Sequence, residues 1–297
     1  MSIAVASYAF SRPDRVAVPT RERVLQTAAA LGYAGPDATA RALRLGRPNT
    51  ITLLGSDRAV DLLSDYAAIE VARGLARACD RVGASLVLGG HGGGPSVCFR
   101  AAPPARSEPA VLIDPPAPTD DAVVRADLAD GVAAAARHLA NLGHTRLAVI
   151  AWSGCGERLD GARIGWGARR PIEVIMAPGP NRIDGEPSGR AVLALSPAPT
   201  AILALSDPLA LEVLDAATHT GLRVPEDLSV VGVDDLPGSA ALRLTSVFVP
   251  YRPMGEQAGN LLWSILDGAA VPPAHLLPTQ LMVRATTGPA RPRTRET

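Results

Sequence analysis

Residues 200–235, TAILALSDPLALEVLDAATHTGLRVPEDLSVVGVDD, contain a complete strand–helix–strand unit with a polar residue at each strand end. Ala201 to Leu205 is a short apolar run of the length expected for a buried strand. Ser206-Asp207-Pro208 then caps a helix, with Pro208 at the first helical position, where its missing N–H costs no hydrogen bond. Leu209, Val213 and Ala217 recur at helical spacing, Leu211 and Leu214 widen the stripe, and Gly221 stops it. Leu228 to Val233 is a second buried strand. Parallel strands joined by one helix form a right-handed crossover, so Asp207 and Asp234-Asp235 leave the sheet at the same carboxyl edge, where open α/β sheets bind ligands. Two roles are open for these acids, a ligand contact or a structural cap and turn former. Adjacent residues leaving a strand point to opposite sides, which argues against a proton-sharing Asp234–Asp235 dyad.

Val224-Pro225-Glu226-Asp227 and Val230-Val231-Gly232-Val233-Asp234-Asp235 resemble the effector-binding domain of the LacI/GalR family of bacterial transcription regulators. The resemblance extends through TRERVLQTAAALGY at 20–33, ATARALRLGRPNTI at 38–51, GVAAAARHLANLGHTRLAVI at 131–150 and LLPTQLMVRATT at 276–287. The order and spacing of these segments together carry it. It implies an α/β protein of two lobes, each a doubly wound parallel sheet of the periplasmic-binding-protein-like type, behind a small α-helical head with a partial helix-turn-helix. The implied boundaries are a head and hinge helix at 1–46, a first lobe at 49–122 plus 250–272, a second lobe at 123–249 plus 273–288, and a disordered tail at 289–297.

Composition fits such a protein. Of 297 residues, 47% are apolar and 20% charged, which is a soluble globular balance with room for more than one core. No apolar run is long enough to span a membrane, and MSIAVASYAF lacks the leading basic cluster of a secretory signal, so a cytoplasmic location is expected. Cys79, Cys98 and Cys155 are far apart and odd in number, which suggests neither a disulfide framework nor a zinc site. Formal net charge is zero, yet residues 1–47 hold seven arginines (12, 15, 21, 23, 41, 44, 47) against Asp14, Glu22 and Asp37. A basic head on a mildly acidic body suits a nucleic-acid-binding module joined to a separate domain, although a solvated Arg-rich helix would give the same count. All the basic residues are arginine, which excludes a P-loop lysine.

Residues 2–11 read as one short helix, and Pro19-Thr20 opens a second in which Val24, Ala28 and Leu31 share a face before Gly32. The resemblance implies that the chain begins at the recognition helix. A mis-started reading frame is favoured over a true loss of the first helix. Ser2, Ile3, Ala4 and Tyr8 then stand where the family places base and phosphate contacts, with Arg12 beside them. Ala6, Ala9 and Phe10 would lack the helix they normally pack against and would face water. PDATARALRLG at 36–46 matches the family's hinge segment, which implies that Leu43 wedges into the minor groove while Arg41 and Arg44 hold phosphates. On the residues alone an ordinary amphipathic linker helix, with Leu43 as a packing residue, is the preferred reading.

From Asn49 onward strands and helices alternate: Thr50 to Gly55, Tyr66 to Val82, Ala84 to Leu88. Residues 89–110 are rich in Gly and Pro; without a GxGxxG register or a following GK[ST], they read as a loop, and this lobe looks one helix-plus-strand unit short. Val111 to Asp114 is a strand, Asp127 to Gly143 a helix, and Leu147 to Ala151 and Pro171 to Met176 are strands. Met254 to Leu266 is a helix returning to the first lobe and Leu277 to Arg284 a last strand.

An enzyme needs a nucleophile with a base, a metal cluster or a cofactor fingerprint, and none stands out; no cofactor or metal is expected. His91, His138, His144, His219 and His275 are scattered, and His138 and His144 read as satisfied surface imidazoles near a helix end. A two-lobed binder fits better, because clefts between α/β lobes collect polar groups from several strand ends. The resemblance points to Arg158 in RLDG as a ligand arginine, to Asp234 as the acid accepting from ligand hydroxyls, and to Ser206 with Asp207 at the other strand end. Ser206 replaces a frequent Asn. Trp152 is a stacking platform for a sugar face or a wedge in the lobe seam, and Ser56 and Asp57 complete the expected effector set. The function implied is a repressor that senses a small metabolite, a sugar foremost, as a homodimer on operator DNA, with no membrane partner. The alternatives are a stand-alone sensor without a competent DNA head, a periplasmic sugar receptor and, last, an enzyme.

Overall fold

A computed structural model of the chain describes residues 5–6, 8–9, 16–31, 48–55, 59–89, 94–103, 108–167, 169–180 and 187–291. The expectations at Ser2, Ile3, Ala4, Arg12, Leu43, Arg44, Ser56 and Asp57 lie outside these residues. In the head, α1 spans Val18–Ala30. Val24 and Ala28 are buried as expected, but Leu31 is 78% exposed and lies beyond the helix. Ala9 is buried rather than facing water, and Tyr8 is exposed.

The first lobe contains β1 (Thr50–Leu54), α2 (Ala59–Ser64), α3 (Tyr66–Val82), β2 (Ser85–Gly89), β3 (Ser96–Phe99), β4 (Ala110–Ile113) and β5 (Ala122–Ala126). The second holds α4 (Leu128–Asn141), β6 (Leu147–Ala151), α5 (Gly156–Trp166), β7 (Ile172–Met176), α6 (Pro187–Leu193), β8 (Ala201–Ala204), α7 (Asp207–Thr220), β9 (Ser229–Asp234) and β10 (Thr245–Phe248). The chain then returns through α8 (Tyr251–Leu266), β11 (Ala274–Leu277) and β12 (Gln280–Met282). The sheet orders are β2-β1-β3-β4-β5-β11, parallel throughout, and β7-β6-β8-β9-β10-β12, parallel except for β12.

The structure departs from the expected elements at three places. The stretch 89–110 contains a strand, β3, so the first lobe is not short of a strand there. Residues 90–95 are too few for the dozen or so that a helical crossover takes. Second, the expected last strand is two strands. Pro278 cannot donate to a ladder, and the break there lets β11 join the first sheet and β12 the second. Third, residues 123–126 and 274–277 lie in the first sheet, so the expected lobe boundaries shift toward α4 and β12.

Each lobe closes by a tight helix pair. Where α3 crosses α8, a Cβ on Gly74 would sit 2.0 Å from the Arg252 carbonyl oxygen and one on Gly255 2.1 Å from that of Val71. Only glycine permits this approach, and it seats Val71, Leu75, Met254 and Ala258 over Leu53, Val111 and Val124. In the second lobe α4 and α5 cover one face of the sheet while α6 and α7 cover the other, where Leu209 and Val213 meet Ile202 and Val230. His144, expected at the surface, is buried; its imidazole meets Thr200 Oγ1, Ser229 Oγ and the Gly288 carbonyl, each at 3.0 Å. All three cysteines are buried and free.

Candidate functional site

In both sheets the strand order reverses beside the first strand of the lobe, at β1/β3 and at β6/β8. Crevices open at the carboxyl ends of such strands. Here the two crevices face one another and enclose a cleft of about 1080 Å³, lined among others by Gly55, Arg100, Asp114, Trp152, Arg158 and Gly179. Strained backbone gathers at strand ends, two of which line the cleft. Arg100 follows β3 with φ 52°, Asp114 follows β4 with φ 46°, Asp234 ends β9 with φ 111°, and Asp235 comes next with φ 49°. Left-handed conformations at non-glycine residues cost energy and persist only where surrounding contacts hold them, a pattern that clusters at functional sites.

Those contacts form one buried network. Arg158 Nη1 lies 2.9 Å from Asp234 Oδ1 and donates to the Leu205 carbonyl at 2.6 Å. The Tyr251 hydroxyl donates to Asp234 Oδ1 at 2.6 Å and accepts from Arg158 Nη2 and Arg100 Nη2, each at 2.8 Å, which uses its whole hydrogen-bonding capacity. Burial and the neighbouring Asp234 charge push the Tyr251 phenol above its ordinary range, so it stays a donor. Arg100 also reaches Asp65, the N-cap of α3, at 3.4 Å, and its guanidinium lies 4.6 Å from the Phe99 ring centroid. One network therefore ties β3 of the first lobe, α8, and α5 with β9 of the second.

Of the expected effector residues, Arg158 and Trp152 line the cleft, with the Arg158 guanidinium 5.5 Å from the Trp152 ring. Asp234 lies directly behind Arg158. Ser206 and Asp207 point elsewhere. Ser206 is the N-cap of α7, which moves Pro208 to the second helical position, and its hydroxyl donates to the Pro180 carbonyl at 2.7 Å. Asp207 faces into the second lobe, accepting from Leu236 N, Ser239 Oγ and Ser246 Oγ at 2.8, 2.6 and 2.5 Å. Asp235 turns the other way from Asp234 and pairs with Arg284 at 2.6 Å. Sequence reading missed Arg100, Asp114 and Tyr251. Arg100 and Asp114 each directly follow a short strand, and Tyr251 follows the crossing segment Val249-Pro250; strand-end position was the available signal. Asp114 Oδ2 is buried without a hydrogen-bond partner, and burial raises its pKa against the opposing pull of Arg100 and Arg158. Among the described residues no group of His, Cys, Asp or Glu could hold a metal ion, and no helix is long and apolar enough to cross a membrane.

A cleft between two doubly wound lobes, floored by a paired arginine and aspartate, defines a two-lobed small-molecule-binding domain of the periplasmic-binding-protein-like class. The sequence pattern of the family described as a periplasmic binding protein-like domain matches residues 136–287, half of the chain. An HTH-type transcriptional regulator of Mycobacterium tuberculosis is 28% identical over 97% of this chain and 94% of that protein. The structure of a transcriptional regulator CelR–cellobiose complex shares 25% identity at a TM-score of 0.70, covering 95% of this chain and 97% of that one. The lac repressor dimer bound to operator and an anti-inducer has the same fold, with 24% identity and a TM-score of 0.71 over 97% and 96% of the two chains. This chain belongs to the LacI/GalR family of transcriptional regulators.

Proposed function

We propose that the protein is a ligand-responsive repressor whose cleft takes a small polyhydroxylated metabolite, a sugar or sugar derivative. It would act as a homodimer on operator DNA, the effector altering lobe closure and hence the spacing of two DNA-binding heads. The observation that carries this reading is the Arg158–Asp234–Tyr251 network beneath Trp152, reaching across both lobes. A guanidinium edge suits neighbouring hydroxyls, an indole face suits the C–H face of a pyranose, and the unpartnered Asp114 Oδ2 offers a first-lobe contact to a further hydroxyl. The cellobiose bound to CelR supports the ligand class, and the operator-bound lac repressor dimer supports the partner and assembly.

The test has two parts. Thermal-shift screening against a metabolite panel should return hydroxylated ligands, and a gel shift on DNA from upstream of the gene should respond to the best of them. Binding at phosphate-rich DNA should also fall steeply between about 50 and 200 mM salt. A panel without a hit, or DNA binding indifferent to every hit, would overturn the proposal.

A further inference from the structure

We infer that Asp207 is a positioning residue for the cleft, holding the strand-end turn at Asp234-Asp235 in the left-handed conformation that aims Asp234 at Arg158. This rests on reading the cleft as the ligand site. The residue looked like a ligand contact because it sits at a strand end, yet its side chain points away from the cavity and is 1% exposed. Its carboxylate instead takes hold of the connection between β9 and β10 at three places. Oδ2 accepts from Leu236 N and Ser239 Oγ, and Oδ1 accepts from Ser246 Oγ. Ser246 Oγ in turn accepts from Asp235 N at 3.1 Å. The amides of both residues after Asp234 are therefore fixed, one directly and one through a serine, by a single carboxylate.

The consequence reaches the cleft through the backbone. With Asp235 and Leu236 held, Asp234 keeps φ 111°, a value that non-glycine residues rarely adopt. That backbone sends Asp234 Oδ1 to the Arg158 guanidinium at 2.9 Å and the Tyr251 hydroxyl at 2.6 Å. The site for Asp207 is built for it: a Cβ at Gly232 would stand 2.2 Å from Asp207 Oδ1, so glycine on β9 is what lets the carboxylate enter. The same inward path leaves no room for a ligand to reach Asp207, which acts only through Asp234.

The experiment needs no effector, so its outcome is independent of whether the cleft binds one. Nitrogen-15 spectra of the full chain would follow three probes: the amides of Asp235 and Leu236, the Arg158 guanidinium, and the His144 imidazole as a second-lobe control. Asp207→Ala and Gly232→Ala, which displaces the Asp207 side chain without removing it, should both move the Asp235, Leu236 and Arg158 signals. Both should speed Arg158 N–H exchange at least tenfold while leaving His144 unchanged. Asp207→Asn, which retains one acceptor oxygen, should restore part of the Leu236 shift. Should Asp207→Ala or Gly232→Ala fail to fold, Ser246→Ala decides, since it cuts the serine path from Asp207 to Asp235 and leaves the bonds of Asp207 to Leu236 and Ser239 in place. Movement of Asp235 together with Arg158 supports positioning. Movement of Asp235 with Arg158 at its wild-type shift and exchange rate, in any folded variant, overturns it.

Discussion

Arg158 of α5 and Asp234 at the end of β9 meet at 2.9 Å with each side chain less than a tenth exposed. Such a pair is held by mutual compensation, because either partner alone would be a buried charge without water. Removing one side of a buried pair costs about 3–5 kcal/mol, whereas removing both leaves no stranded charge. Arg158→Ala and Asp234→Ala should therefore each destabilise the chain by about that much, and the double variant by clearly less than their sum. Urea unfolding of the four proteins measures the cycle. Additive losses would mean that the pair carries no coupling.

Tyr251 tests the same network from the first-lobe side. Its hydroxyl is the only described link from Arg100 in the first lobe to Arg158 and Asp234 in the second. Tyr251→Phe keeps the ring packed edge-on to Phe99 and removes three charge-assisted hydrogen bonds, for a loss of at least the worth of one of them, about 1.5–3 kcal/mol. The loss should be accompanied by a wider lobe angle in solution scattering. An unchanged unfolding midpoint together with an unchanged scattering profile would refute the link.

Much of this architecture was legible in the residues, and the failures have physical causes. The crossover at 200–235 announced itself because Ser206, Pro208 and Gly221 punctuate an apolar strand, helix and strand at their proper distances. The place of Arg158 beside the cleft was legible by resemblance and that of Trp152 by its position just past a strand end. β3 was not, because SVCF is four residues long between Gly-rich and Pro-rich flanks, too short for alternation to show. Asp207 was placed at the correct sheet edge, with a ligand contact and a structural role both left open. Side-chain direction at a strand end depends on the space across the sheet, here the absent Cβ of Gly232, which a local pattern does not encode. Arg100 and Tyr251 were missed for a related reason: their roles exist only where two lobes meet.

Gly74 tests the tight helix pair of the first lobe. By helix propensity alone, Gly→Ala within α3 should stabilise the chain by about 1 kcal/mol. The added Cβ would meet the Arg252 carbonyl oxygen at 2.0 Å and the Glu256 nitrogen at 2.7 Å, and backbone atoms on α8 cannot rotate aside. Overpacking of this kind costs about 1–3 kcal/mol or more, so the clash should outweigh the propensity gain and the unfolding midpoint should fall. A Gly74→Ala chain at least as stable as wild type would show that α3 and α8 do not approach this closely.

Asp207 should make stability depend on pH in a direction that its hydrogen bonds alone would not suggest. Three donors favour its ionised form, but burial, aided by Asp234 on β9, wins and raises its pKa from 3.8 to about 7. Of the other charges at that end of the sheet, Asp235 is already paired with Arg284. Between the two values the folded chain holds a proton that the unfolded chain has released. Folding is then favoured by acid in that interval: the contribution is complete below pH 3.8, is lost as pH rises through about 7, and is flat above. Its size is on the order of 4 kcal/mol, since each pKa unit corresponds to about 1.4 kcal/mol. Other groups also titrate in this interval, so the quantity to measure is the stability of wild type minus that of Asp207→Asn, by urea unfolding at half-unit steps from pH 4.5 to 8.5. The difference should shrink steadily up to about pH 7 and then level. A difference that grows with pH would mean that the three donors hold Asp207 ionised, and one that is flat would mean that its pKa is the same folded and unfolded.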